Sequence, residues 1–196
     1  MATAYAYTCK PPLPAPAISD YRRVRFTADE FLRMEDLGAF EGHKVELADG
    51  ELWEEPLPGM DHGELQALLT YLLVTAATPD VYVSGEVSVR LGEHRVRDLD
   101  AALIKRVATR GRIAMPTDVT LAIEVSDTTL ATDLLKAAEY AQAGIPHYWV
   151  VDIGSSAVHA MHAPGPDGYA ERSVIRFDEP LPVPGGGTIV IGSPSA

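Results

Sequence analysis

Three acidic residues and one lysine stand where packing alone does not call for them. Glu46 lies between Val45 and Leu47 in a short strand-like run, and Asp100 directly precedes the apolar Ala101-Ala102-Leu103-Ile104. Glu124 sits between Ile123 and Val125 in the most apolar run of the chain, and Lys136, one of only four lysines, follows on the next helical segment. A carboxylate inside an apolar strand either faces water or is buried with a partner or a metal, because a lone buried charge costs several kcal/mol. Strand alternation sets Leu121 and Ile123 on one face and Thr120, Ala122 and Glu124 on the other. If the sheet is covered on both sides, Glu124 is partly buried near the C-terminal end of its strand, where sites collect in open α/β sheets.

The elements that must position these residues are legible in outline. Thr27-Ala28-Asp29-Glu30 fits a capping box and starts a helix carrying Phe31, Leu32 and Met34. Asp49-Gly50 between Lys44–Leu47 and Glu51–Glu54 predicts a tight hairpin. Asp61-His62-Gly63-Glu64 is expected to cap a second helix, with Leu65, Leu68, Leu69, Leu72 and Leu73 as its apolar stripe. Strands are expected over Val81–Leu91, His94–Ile104, Val119–Val125, His147–Asp152, Ala157–His162 and Tyr169–Ile175. A helix from Leu130 to Ala143 should stop at Gly144 and Pro146. On it Leu130, Leu134, Ala137, Ala138 and Ala141 form the apolar stripe, so Lys136 points away together with Asp133 and Tyr140, toward a site at the sheet edge or toward solvent. The expected fold is α/β (α+β): a central mixed sheet flanked by helices, with additional hairpins.

Composition narrows the class. With 16 Lys+Arg against 28 Asp+Glu the formal charge is −12, which argues against broad adhesion to nucleic acid or anionic membranes. No run is long and apolar enough to span a bilayer, the start does not read as a secretory signal, and Cys9 is the single cysteine, so a cytoplasmic chain without intrachain disulfides is expected. Residues 1–20, with four prolines from Pro11 to Pro16, read as an extended arm; residues 21–192 read as one domain and 193–196 as a frayed end.

In order along the chain, Glu46-Leu47-Ala48-Asp49-Gly50, His62, Asp100, Leu121-Ala122-Ile123-Glu124-Val125-Ser126, Asp133, Lys136, Tyr140 and Ala143–Asp152 resemble the Uma2 family. That family is a bacterial group of endonucleases with the restriction-endonuclease-like PD-(D/E)XK fold, and the resemblance covers about residues 26–178. It implies a metal-dependent phosphodiesterase in which Asp100, Glu124 and the carbonyl of Val125 hold Mg²⁺ or Mn²⁺, with Glu46 as a third acid acting on the metal directly or through water. Hard oxygen ligands suit a cation that bridges phosphate and acidifies water, and a lysine can orient that water or stabilise developing charge. Two positions depart from the family pattern. Ser126 stands where Glu-X-Lys would place the lysine, so the role passes to Lys136 on the following helix. Leu99 stands where proline usually precedes the aspartate, which leaves Asp98, two positions earlier on the same strand face, as the fallback for Asp100.

Three further residues are expected near substrate: His62 at the start of its helix, Arg97, and Tyr140, four residues after Lys136 on one helical face and able to hold the amine. His159 and His162 are not spaced for a shared zinc site, Gly185–Gly187 lacks a following Lys-Ser/Thr and reads as a turn, and Tyr148 and Trp149 read as core. The leading function is a Mg²⁺-dependent endonuclease cutting DNA, working as a homodimer if both strands of a duplex are cut. The alternative is a catalytically silent nuclease-like scaffold that binds or regulates, which the acidic charge favours. Arg90, Arg95, Arg97, Lys105, Arg106, Arg110 and Arg112 form a basic segment that is the natural DNA-facing candidate.

Overall fold

The computed structural model describes residues 22–106 and 113–192, so the arm expected over 1–20 and the end at 193–196 lie outside the described residues. Helix α1 (Ala28–Asp36) starts on the expected capping box: Thr27 accepts from the Glu30 N–H while the Glu30 carboxylate accepts from the Thr27 N–H. The hairpin β1 (Val45–Ala48) and β2 (Glu51–Glu54) turns on Asp49 and Gly50, whose φ angles of 51° and 80° are those the tight turn requires. Helix α2 (Met60–Ala76) begins two residues before His62, capped by the backbone of Gly59 rather than by a side chain, so the expected cap at Asp61 is corrected. Of its leucine stripe, Leu65, Leu69 and Leu73 are buried, whereas Leu68 is partly exposed.

The long antiparallel pair β3 (Val81–Gly92) and β4 (Arg95–Lys105) is followed by β5 (Val119–Ser126), α3 (Leu130–Gln142) and β6 (His147–Asp152). The meander β7 (Ala157–Gly165) and β8 (Gly168–Arg176) completes one eight-stranded sheet, ordered β2-β1-β4-β5-β6-β7-β8 with β3 also on β4. Among the named strands of the described residues, β5 and β6 are the pair that runs parallel, and α3 is their crossover. A short hairpin of β9 (Leu181–Pro182) and β10 (Thr188–Ile189) packs near the end of α2.

Alternation along β5 divides the core. Leu121, Ile123 and Val125 face α2 and the C-terminal residues Phe177, Leu181 and Ile189, while Ala122 faces Ala137, Tyr140 and Ala141 of α3. Tyr148 and Trp149 are buried, one in each layer. Among the described residues no helix is long and apolar enough to cross a membrane. The turn through Gly185–Gly187 comes so close to α2 that a Cβ on Gly186 would lie 2.5 Å from the Ala76 carbonyl oxygen. Gly186→Ala should therefore cost ~1–3 kcal/mol, read as a lower urea midpoint at unchanged slope, because the obstructing atom is backbone and cannot swing aside.

Candidate active site

Strand β4 carries β3 along one whole edge, from Gly92↔Arg95 to Val81↔Lys105. Its other edge is shared: β1 meets it at Leu47↔Val96, and β5 joins from Ala101↔Ile123 onward. Between these points β1 and β5 part, and Arg97 to Asp100 lie at the fork. Extending the β4–β5 register by one step brings Asp100 opposite Glu124. The alternation of β4 also slips there, since Leu99 shares the α3-side layer with Ala102 and Ile104, while Ala101 and Leu103 belong to the α2 side. Across on β3, Glu86 sits between the partners of Leu99 and Ala101 and has a φ of 44°, a left-handed conformation that costs a non-glycine residue ~1–2 kcal/mol.

The backbone groups released at this fork are taken up by the acidic side chains. Asp100 Oδ2 accepts the Val125 N–H at 2.8 Å and lies 3.2 Å from His62 Nε2, while the Asp100 carbonyl accepts from Gln66 Nε2 at 2.6 Å. His62 and Gln66 are one turn apart on α2, so that helix holds Asp100 from two sides. His62 Nδ1 is buried with no hydrogen-bond partner. Glu46 accepts the Asp98 N–H at 3.0 Å and Arg97 Nη1 at 2.7 Å, and Arg97 continues to Glu139 of α3 at 2.9 Å through both Nε and Nη2.

Lys136 is buried, which decides the open question about its helical face. The buried face of α3 is Asp133, Lys136, Ala137, Tyr140 and Ala141, while Ala138, expected in the core stripe, is exposed. Its Nζ lies 3.3 Å from Glu124 Oε1, 3.2 Å from Glu55 Oε1, 3.6 Å from Glu46 Oε1 and 3.8 Å from Asp133 Oδ1. Tyr140 donates to Glu124 Oε1 at 2.8 Å, so it holds the carboxylate rather than the amine.

Charge follows from this packing. Burial pushes the Glu124 carboxyl well above the ordinary carboxylate range; Lys136 pulls it back, and Asp100, Glu46 and Asp133 push it further up. Burial also raises Glu46 and Asp133, against the attraction of neighbouring cations or hydrogen bonds. Asp100 goes the other way: burial opposes its ionisation, but the contacts from His62 and the Val125 N–H outweigh it and lower its pKa. Burial alone would depress the Lys136 amine, and the surrounding carboxylates, Glu124 first, reverse this and raise it.

One cavity of about 480 Å³ contains Glu46, His62, Arg97, Asp100, Glu124, Val125 and Lys136 in its lining. Eight carboxylates line it against two lysines and one arginine, an excess of negative charge that favours a cation. The hard oxygens of Asp100, Glu124 and the Val125 carbonyl suit Mg²⁺ or Mn²⁺ in kind. Among the described residues no three His, Cys, Asp or Glu side chains converge as a ready-made cage, and Glu46 is committed to Arg97 and the Asp98 N–H, so the three-acid cage is not present. Asp98 does not line the cavity.

Sequence reasoning missed Lys44 and Glu55. Lys44 Nζ lies 3.0 Å from Glu55 Oε2 and 3.9 Å from Asp100 Oδ1. Both were within reach: the Asp49-Gly50 turn pairs Val45 with Glu54, and the next step out is Lys44 with Glu55, whose backbones bond at 2.8 Å. Within the basic segment, three arginines are paired with carboxylates. Arg90 is paired with Asp29, Arg95 with Asp49 and Glu139, and Arg97 with Glu46 and Glu139. Lys105 and Arg106 bind the carbonyls of Thr117 and Pro79, and Arg110 and Arg112 lie outside the described residues.

A family model for Uma2, described as "Putative restriction endonuclease", matches residues 28–187. The chain belongs to the Uma2 family. Among solved structures, a protein from Anabaena variabilis described as "a putative nuclease belonging to DUF820" is similar in fold, with a TM-score of 0.66 at 19% identity, over 86% of this chain and 96% of that one. No curated protein matches. Uma2 membership accords with the restriction-endonuclease-like architecture, whose α/β sheet and flanking helices are those described above.

The raised Glu124 pKa makes stability depend on pH. Its carboxyl is ionised in the unfolded chain above the ordinary carboxylate range but resists ionisation when folded, so the native state loses stability as pH rises from that range through the folded pKa. In chelator, Glu124→Gln should raise Tm by a few degrees at neutral pH, with the gain vanishing as pH falls below the ordinary carboxylate range. Lys136 keeps Glu46, Glu55 and Asp133 as partners in that variant. Thermal melts across pH would read it, and an equal or lower Tm at neutral pH would refute it.

Proposed function

We propose that this Uma2 protein is a metal-dependent endonuclease that hydrolyses phosphodiester bonds in DNA, with Asp100 and Glu124 as the central carboxylates. The observation that supports this reading is their convergence at the β4–β5 fork, on one cavity, with the Lys136 amine 3.3 Å from Glu124. Asp100, Glu124 and the Val125 carbonyl would hold the cation, which when bound supplies bridging of the phosphate and acidification of a water. The chain's own groups do the rest. His62 and the Val125 N–H keep Asp100 ionised and oriented, and Tyr140 fixes one Glu124 oxygen. Lys136 presents a charged donor where negative charge develops on the phosphoryl oxygens, and Glu55, Glu46 and Asp133 keep that amine protonated and in place. Arg97 acts here as a positioning residue between Glu46 and Glu139 rather than as a free phosphate ligand.

The pairing of Arg90, Arg95 and Arg97 with carboxylates favours a second reading, a scaffold that binds without cutting. One assay separates the two. With Mg²⁺ or Mn²⁺, plasmid should be nicked and chelator should stop it; Asp100→Asn and Glu124→Gln should reduce nicking to background, and Lys136→Met should lower it ~10²–10³-fold. Folded protein, verified by circular dichroism, that cuts no DNA across several divalent metals would overturn the nuclease reading.

A further inference from the structure

Trp53 and Leu57 are large apolar side chains left in water at the mouth of the cavity, 57% and 84% exposed, and both line it together with Asp100 and Glu124. Exposure of this kind is a choice of place: the chain's other tryptophan, Trp149, is 2% exposed. Trp53 stands on β2, the terminal strand of the sheet, and its register partner is Glu46. Cross-strand partners project from the same face, so the indole rises beside the carboxylate that reaches toward Lys136. Leu57 follows on the Pro56–Pro58 segment before α2, where two prolines limit the freedom of the chain.

The charges around this shelf restrict what it can receive. Lys44, Arg97 and Lys136, the lysines and arginine of the lining, each lie within 3.3 Å of a carboxylate oxygen. A duplex is gripped mainly through rows of cations on its phosphates, and cations already paired serve that purpose poorly. Proteins that take single strands rely instead on aromatic faces, each stacked base contributing ~1–3 kcal/mol. An aromatic face can meet a base only once that base has left the stack. The cavity, about 480 Å³, is of the size that holds one small ligand.

We infer that Trp53, with Leu57 beside it, stacks an unpaired nucleobase at the cavity mouth, so that the preferred substrate is DNA that is single-stranded or locally unpaired next to the bond to be cut. This rests on the nuclease reading above, but its test does not depend on cleavage. Trp149→Phe leaves Trp53 as the sole tryptophan, and its fluorescence is followed in chelator while a single-stranded oligonucleotide or its duplex is added. Single strand should quench it, and the duplex should require at least tenfold more. Anisotropy of a labelled single strand with otherwise native protein gives a second measurement that needs no Trp149 variant: Trp53→Ala should weaken binding ~5- to 100-fold, with Trp53→Phe between the two and an unchanged melting curve for both. Unmoved fluorescence, equal response to duplex, or native affinity in Trp53→Ala would overturn the inference. Quenching without cleavage in Mg²⁺ or Mn²⁺ would retain the stacking site and defeat the nuclease reading, whereas cleavage with Trp53 unresponsive would do the reverse.

Discussion

The site exists because the edge of one strand has two partners. On the edge of β4 opposite β3, Leu47 pairs with Val96 and Ile123 pairs with Ala101, and no register partner is found there for Arg97 to Asp100 among the described residues. Buried backbone donors and acceptors must still be satisfied. The chain meets that demand with side chains: Glu46 takes the Asp98 N–H, Asp100 takes the Val125 N–H, and Gln66 donates to the Asp100 carbonyl. The hydrogen bonds that close the fork therefore also orient the carboxylates. Because those bonds are short-range and directional, the acids are placed by the sheet itself and not by a flexible loop.

The second constraint is electrostatic and follows from the first. Acids collected at a fork repel one another, and burial makes each harder to ionise. A single buried amine, Lys136, faces four of them, and Lys44 bridges Glu55 toward Asp100. That leaves Glu124 reluctant to ionise and Asp100 ready to, a division between two carboxylates that face the same cavity. The raised Glu124 carboxyl costs the folded chain stability at neutral pH, whereas the lowered Asp100 carboxyl contributes to it, and a bound dication would relieve the cost at Glu124. A site that stores unneutralised charge is the usual accompaniment of function and a poor way to stabilise a fold.

Much of the fold was legible because its signals are local. The Thr27–Glu30 box, the Asp49-Gly50 turn and the alternation of β5 each act within a few residues, and all three appear as expected. The inward face of α3 was not legible in that way. Of the stripe read from its leucines and alanines, Ala137 and Ala141 are buried and Ala138 is exposed, while Asp133, Lys136 and Tyr140, read as pointing away from it, are buried as well. A helical wheel assigns charge to water, and only partners distant in the chain, Glu46, Glu55 and Glu124, make the opposite placement stable. The pairing of three arginines in the basic segment was hidden for a related reason. Counting its arginines ignores the strand pairing that sets Arg95 and Arg97 against Glu139 of α3 and Arg90 against Asp29 of α1.

Those pairings bear on how an acidic chain could approach a polyanion at all. A net charge of −12 opposes long-range attraction of DNA, so on the proposed function recognition would rest on contacts made at close range. On the proposed function two kinds would serve at the fork: a cation shared between carboxylate and phosphate, and the exposed indole of Trp53 on the strand that carries the partner of Glu46. On that reading both would act on a strand that enters the cavity, and the acidic surface would serve as a filter rather than an obstacle. A helix whose phosphates meet only the outer surface would be repelled, while a nucleotide that reaches the fork would gain stacking and metal contact together.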